Sequence, residues 1–186
     1  YSVSRTNNCK YFGYTPGVYK VAVQNNTLGC TDTSSQISLI VNPIPSSVVQ
    51  IAGPTSICPG QSVTLTAPTA NAYLWSNGAT SQSIVVNTAG NYTLTTTSTG
   101  CSSTSSPVTV IVKPLPNVNV LSSGPLTFCQ GSSVTLTAPT ASSYLWSTGQ
   151  TSQQVVATST SNITLTSTLD GCSATSSVYN VLVNPL

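Results

Sequence analysis

The side chains that could do chemistry in this chain are few. There are six cysteines, two aspartates, and no histidine or glutamate. Six thiols without a metal-type C-x-x-C spacing indicate disulfides formed in an oxidising compartment. Asp32 and Asp170 are far apart in the sequence, and no hydroxyl has a base beside it, so neither acid–base nor nucleophilic catalysis has its groups. We therefore expect no enzyme activity, no cofactor and no metal site.

The rest of the composition narrows the class of protein further. Charged residues make up 3% of the chain and give a formal net charge of +2, which forms no basic stripe for nucleic acid. No apolar run approaches the roughly 20 residues of a membrane span. The polar surface must come from Ser, Thr, Asn and Gln, as is common in extracellular β-proteins. These features predict an extracellular or cell-surface protein without a membrane span.

An internal repeat organises the sequence. Cys58 and Cys129 begin two matching segments that are 71 residues apart. The matches are residues 58–69 with 129–140, 73–76 with 144–147, 80–82 with 151–153, and 100–101 with 171–172. The same offset relates Cys30 to Cys101, so the period extends towards the start of the chain.

The period predicts three units joined by short proline-containing linkers. We expect the C-terminal half of a truncated repeat at 1–44, a complete repeat at 45–115, and a second complete repeat at 116–186. Val-x-Pro-x-Pro or its equivalent ends each unit, and proline there favours semi-rigid connections. A half repeat at the start indicates a piece of a longer protein, and a processed N-terminus is the competing interpretation.

Alternation of apolar residues with threonine predicts strands throughout. Residues 63–67, 73–75, 92–96 and 108–112 all follow the period of two that a half-buried strand requires. Several short strands with turns between them favour an all-β fold of tandem immunoglobulin-like sandwiches, with a barrel as the alternative.

Spacing within the repeats suggests the disulfide pairs. Cys58 and Cys101 are 43 residues apart, and so are Cys129 and Cys172. We therefore predict Cys58–Cys101 and Cys129–Cys172 bridges, each pinning one end of a sandwich and each worth about 4 kcal/mol in the chain-entropy model. For the first unit two possibilities stay open. Either Cys9 pairs with Cys30, or Cys30 pairs with an upstream cysteine and Cys9 is left over.

Three aromatic residues are predicted to lie in the cores. Trp75 and Trp146 lie on alternating strands where a sandwich places its core tryptophan, and Tyr92 resembles the corner tyrosine of such folds. The functional alternative for the tryptophans is a platform for stacking sugars. In the third unit Ser161 and Ile163 replace the glycine and tyrosine of the corner.

One cluster has no counterpart in the other units. Lys10, Tyr11, Phe12 and Tyr14 concentrate aromatic rings and charge, which makes them a candidate contact patch. The competing interpretation is that these rings fill the space left where Val3 stands in place of a tryptophan.

Several motifs together resemble a known repeat class. These are Cys-x-Gly-x-x-Val-x-Leu-x-Ala, then Tyr-Leu-Trp-Ser-x-Gly-x-Thr, then Gly-Cys-Ser before the proline linker. With them the chain resembles the Ig-like (PKD-like) tandem repeats of very large Bacteroidota cell-surface adhesins, which include the gliding adhesins exported by type IX secretion. The resemblance implies extracellular display and a stalk or adhesin role, and it carries no catalytic residues.

Two functions follow as expectations. The first is a structural stalk or filament of a secreted adhesin, with neighbouring repeats as partners and surface glycans or other cell-surface proteins as ligands of the whole. The second is a non-catalytic glycan-binding or spacer module of a secreted polysaccharide-degrading enzyme, which requires exposed aromatic rings.

Overall fold

The computed structural model describes residues 15–24 and 31–186, and these residues form strands, turns and loops without a helix. The first unit contributes β1 (Gly17–Tyr19), β2 (Ala22–Gln24), β3 (Thr31–Thr33) and β4 (Ile37–Leu39). Since the described part is free of helices, none of it offers a helix that could cross a bilayer.

The second unit contains nine strands. They are β5 (Gln50–Ala52), β6 (Ser56–Ile57), β7 (Val63–Thr66), β8 (Ala72–Trp75), β9 (Ser83–Val86), β10 (Gly90–Tyr92), β11 (Leu94–Ser98), β12 (Cys101–Thr104) and β13 (Val108–Val112).

The third unit repeats this order. Its strands are β14 (Leu121–Ser122), β15 (Thr127–Cys129), β16 (Val134–Thr137), β17 (Ser143–Trp146), β18 (Gln154–Ala157), β19 (Ser161–Ile163), β20 (Leu165–Leu169), β21 (Cys172–Thr175) and β22 (Tyr179–Asn184). The strands from β7 to β12 return as β16 to β21 with identical bounds after the 71-residue offset, so the repeat in sequence is a repeat in structure.

Each complete unit is a sandwich of two layers. In the second unit β5, β7 and β9 form one antiparallel sheet. The other layer consists of two three-stranded sheets, β8–β11–β12 and β10–β13–β6, which are adjacent along the chain since only Thr93 separates β10 from β11. Its β6–β13 pair is parallel and the remaining pairs are antiparallel. The predicted all-β sandwich is therefore confirmed.

The strand register gives each sandwich two distinct ends. At one end the β11–β12 hairpin turns at Thr99 and Gly100, which both have positive φ, as the type I′ hairpin requires. We call this the turn pole. At the opposite end β13 finishes beside β6, with Val112 paired to Ile57. We call this the linker pole, because the connection to the next unit leaves there.

Each sandwich has a hydrophobic core of its own. The first cluster lies between residues 57 and 110 and the second between residues 120 and 181, so each falls inside one predicted repeat. Leu65 and Leu94 of the first cluster are fully buried, and so are Leu136 and Leu165 of the second. Burial of one such side chain contributes about 1.5–3 kcal/mol. The threonines that alternate with these residues, Thr64, Thr66 and Thr95, are half-buried.

The two tryptophans lie at the centre of these cores. Trp75 and Trp146 are each 1% exposed. The indole Nε1 of Trp75 donates to the carbonyl oxygen of Ser81 at 2.9 Å, and that of Trp146 donates to Ser152 at 2.9 Å. With the ring buried and its only polar atom satisfied, neither tryptophan is available as a platform for sugars.

The tyrosine corner differs between the repeats. The Tyr92 hydroxyl donates to the carbonyl oxygen of Thr88 at 3.1 Å, and Tyr92 pairs with Val108 across the β10–β13 ladder. In the third unit the corresponding pair is Ile163 and Tyr179, with the aromatic ring on the other strand. The Tyr179 hydroxyl accepts a hydrogen bond from the Val120 amide at 3.0 Å. In the third unit the aromatic ring is therefore on β22 and not on β19, and its hydroxyl binds the residue that precedes β14.

Candidate functional site: the covalent junction between repeats

A disulfide joins the two complete repeats to each other. Cys58 of the second unit bonds to Cys172 of the third, across a sequence separation of 114 residues and with the two Cα atoms 5.5 Å apart. Cys101 and Cys129 are free thiols. The predicted Cys58–Cys101 and Cys129–Cys172 pairs are therefore wrong.

The positions of the cysteines on the sandwich explain this correction. Cys58 follows β6 at the linker pole, whereas Cys101 opens β12 at the turn pole. The segment from Cys101 to Val112 runs from one pole to the other, and at roughly 3.3 Å per residue it spans on the order of 30 Å. A disulfide requires Cα atoms about 4.4–6.8 Å apart, so two cysteines of one repeat cannot meet.

Stacking of the two repeats brings a cysteine of one repeat within bonding distance of a cysteine of the other. The linker pole of the second unit lies against the turn pole of the third, which brings Cys58 to Cys172. The Cys58 sulfur also lies 3.6 Å from the carbonyl oxygen of Gly171. Cys172 is fully buried and Cys58 is half-buried, so the bond is largely enclosed by the two repeats.

A polar contact accompanies the disulfide. The Lys113 ammonium donates a hydrogen bond at 2.7 Å to the backbone carbonyl of Asp170, in the turn that precedes Cys172. Asp170 has a φ of 51° and Gly171 a φ of 85°, and together they form the two-residue turn of the β20–β21 hairpin. The linker of one repeat therefore holds the hairpin turn of the next.

The same contact recurs one period earlier. The Asn42 side-chain amide donates to the carbonyl oxygen of Thr99 at 2.9 Å, and the Cys101 thiol lies 3.8 Å from the carbonyl oxygen of Asn42. Asn42 corresponds to Lys113, and Thr99 corresponds to Asp170, both after the 71-residue offset. The junction between the first and second units is thus built like the junction between the second and third.

The sequence interpretation missed the polar members of the junction. These are Asn42, Lys113, Thr99 and Asp170. The Asp-Gly pair at 170–171 is a strong sequence indication of a type I′ hairpin turn and would have placed Cys172 at the tip of a hairpin. Nothing in the sequence alone indicates that a linker side chain reaches that turn.

The other predicted residues fall in two groups. Trp75, Trp146 and Tyr92 lie in the cores. The candidate contact patch of Lys10, Tyr11, Phe12 and Tyr14 lies outside the described residues, as do Cys9 and Cys30. Neither the patch nor the pairing of those two cysteines is therefore placed.

The described surface offers little for small-molecule chemistry. An open hollow of about 370 Å³ lies between Ser47–Val49 and Thr104–Val108, and its lining contains only uncharged residues. Within residues 15–24 and 31–186, no three His, Cys, Asp or Glu side chains gather as a metal site would require.

Comparison with known proteins adds no family. No protein-family description and no curated protein matches the sequence. A chain from a crystal structure of a mouse coronavirus receptor-binding domain complexed with its murine receptor covers 75% of this chain and 100% of its own length, at 12% identity and a TM-score of 0.37. A likeness this weak carries no argument about function.

Proposed function

We propose that this chain is a load-bearing length of a stalk or filament, formed by structural repeats of a secreted cell-surface adhesin. In this role it displays or mediates surface adhesion outside the cell, including adhesion that serves gliding. It acts by holding its shape under tension and has no catalytic role.

The observation that carries the proposal is the bond between successive repeats. Tension applied along the chain passes from residue 58 through the disulfide to residue 172. The intervening segment, 59–171, then carries no load, although it includes most strands of both sandwiches. A bond within one repeat would protect that repeat alone. A bond across the junction also prevents the repeats from separating.

The non-covalent contacts support the same role. Lys113 and Asn42 each tie a linker to the hairpin turn of the following repeat. Proline at positions 114 and 43 follows these residues directly and limits the bending of each linker. Because two junctions share the contact, the array favours a fixed angle between repeats over free rotation.

The surface fits a structural protein in the extracellular space. Hydroxyl pairs bridge neighbouring strands, as between Thr95 and Thr104 at 3.0 Å and between Thr166 and Thr175 at 2.9 Å. Cross-strand pairs of this kind stabilise a sheet by roughly 0.2–1 kcal/mol each. They need no charge, so this stabilisation does not weaken with salt, and the disulfide suits an oxidising environment.

Single-molecule pulling tests the proposal. With the full chain held at its two ends, reduction of the disulfide frees 114 peptide steps, which at about 3.5 Å each adds about 400 Å of extension. We expect the reduced chain to lengthen in discrete unfolding steps and the oxidised chain to lack the steps of the segment between Cys58 and Cys172.

A matched control comes from the free thiol at the other pole. A Cys101→Ser variant should behave like the unmodified chain, both with and without reductant. If the reduced chain stretched smoothly without discrete steps, the repeats would offer no mechanical resistance, and the stalk role would be rejected.

A further inference from the structure

Cys101 and Cys129 occupy the same positions as the two bonded cysteines, each one period away. Cys129 corresponds to Cys58, and Cys101 corresponds to Cys172, both by the 71-residue offset. Cys129 ends β15 at the linker pole of the third unit, and Cys101 begins β12 at the turn pole of the second. Each free thiol therefore lies where one cysteine of a disulfide between repeats would lie.

The surroundings of both thiols match those of the bonded pair. Beside Cys129, the parallel pairing of Phe128 with Val183 in β15–β22 repeats the pairing of Ile57 with Val112 in β6–β13. Cys129 itself is exposed, so the pole is open to another repeat.

At the other end, Cys101 lies under a linker in the manner of Cys172. Asn42 binds the turn at Thr99 as Lys113 binds the turn at Asp170. The linker of the first unit thus already occupies the position that the linker of the second unit takes beside the formed disulfide.

We propose that Cys129 and Cys101 are covalent docking sites for further repeats of this same class. Cys129 takes the cysteine that corresponds to Cys172 in a following repeat, and Cys101 takes the one that corresponds to Cys58 in a preceding repeat. The inference rests on the proposed function, because it extends one observed junction to every junction of a stalk.

Overlap of the bridges is the mechanical consequence. Cys129 lies between Cys58 and Cys172 in the sequence, so a bridge from Cys129 starts inside the loop that the first bridge closes. Successive loops then interlock, and tension that reaches Cys172 has two covalent paths onward. Breaking one disulfide would leave the other path intact.

Bond formation proceeds by thiol–disulfide exchange with a disulfide oxidant such as oxidised glutathione. The Cys129 thiolate attacks the oxidant, forms a mixed disulfide and releases one thiolate. The thiolate of the incoming repeat attacks the Cys129 sulfur of that mixed disulfide and releases the second. Two protein thiols are oxidised to one disulfide, and one oxidant disulfide is reduced to two thiols.

The test extends the full chain by one repeat. A second copy of residues 116–186 is joined after Leu186, the protein is oxidised with glutathione, and non-reduced peptides are mapped by mass spectrometry. We expect Cys129 linked to the appended copy of Cys172, and labelling of Cys129 by iodoacetamide reduced at least tenfold. In the control, the appended copy of Cys172 is replaced by serine and Cys129 stays labelled.

A second extension tests the opposite end and protects against misfolding of the first. A copy of residues 45–115 replaces residues 1–44, and its copy of Cys58 is expected to bond to Cys101. The Cys58–Cys172 bridge serves in both proteins as the internal standard for a correctly stacked junction.

Two outcomes would overturn the inference. One is pairing of cysteines within a single repeat, and the other is a Cys129 or Cys101 thiol that stays free while Cys58–Cys172 forms. Both outcomes leave the discrete unfolding steps of the fully reduced chain unchanged, and those steps test the stalk role, so this inference can fail while the stalk role stands.

Discussion

Replacement of single cysteines by serine should distinguish a disulfide between repeats from disulfides within repeats. In the chain-entropy model, removing a cross-link across 114 residues costs about 5 kcal/mol of stability, because the unfolded chain regains that freedom. Cys58→Ser and Cys172→Ser each delete the same bond and should show the same loss. The double variant should lose no more than either single variant, because the bond can be removed only once.

The matched controls are the two free thiols. Cys101→Ser and Cys129→Ser break no bond, and Cys129 lies at the surface, so each change should stay within about 0.5 kcal/mol. Under the within-repeat pairing each of these variants would instead lose about 4 kcal/mol, the value for a loop of 43 residues. The two arrangements therefore differ by several kcal/mol for the same substitution.

Denaturation in guanidinium chloride, followed by tryptophan fluorescence, measures these losses. Trp75 and Trp146 lie in separate cores, so the unfolding of either repeat changes the total fluorescence. The quantity compared is the summed free energy of unfolding of the two repeats. Reductant should bring the unmodified chain down to the level of Cys58→Ser and leave that variant unchanged.

One result would refute the reasoning. If Cys101→Ser were as costly as Cys58→Ser, or if the losses of Cys58→Ser and Cys172→Ser added in the double variant, the two cysteines would belong to different bonds.

Two further substitutions test the packing by comparing equivalent positions. Ser167 is fully buried and its hydroxyl has no partner within the described structure, so Ser167→Ala should raise stability by about 1 kcal/mol. At the equivalent position Thr96→Val removes a 2.9 Å hydrogen bond to the Ser46 carbonyl and should lower stability by about 1 kcal/mol. Thermal unfolding measures both changes, and the same sign for both would contradict this account. Thr99 has a φ of 49°, where a β-branched side chain is strained, so Thr99→Asn should stabilise the chain by about 1 kcal/mol. The same assay measures this change, and a loss of stability would argue against strain at this turn.

Local patterns were sufficient to predict the fold. Alternation of Val63 and Leu65 with threonine is a property of one strand, and the structure buries the apolar positions in that order. The offset that aligns residues 58–69 with 129–140 in sequence also aligns the strands. The alternation is visible in neighbouring residues and the repeat in the match between two segments, so neither required knowledge of contacts in three dimensions.

The disulfide could not be predicted in this way. A separation of 43 residues recurs in each repeat, but in a periodic chain the same separation lengthened by one period recurs equally well. Spacing alone cannot distinguish Cys101 from Cys172 as the partner of Cys58. What distinguishes them is which pole each cysteine occupies and how the repeats stack, and both are three-dimensional facts.

Differences between the two complete repeats indicate which part of the design is fixed. The core tolerates exchange, since Tyr92 paired with Val108 becomes Ile163 paired with Tyr179. Such a swap changes the summed side-chain volume of the pair by only one methylene group, because Tyr is present in both pairs and Ile replaces Val. The junction has no such freedom, because a disulfide between two repeats requires Cα atoms about 4.4–6.8 Å apart. One extra residue between β6 and Cys58, or in the turn before Cys172, would move a sulfur away from its partner. We infer that the junction holds the period at 71 residues, and that an insertion there should uncouple the repeats while leaving each core folded.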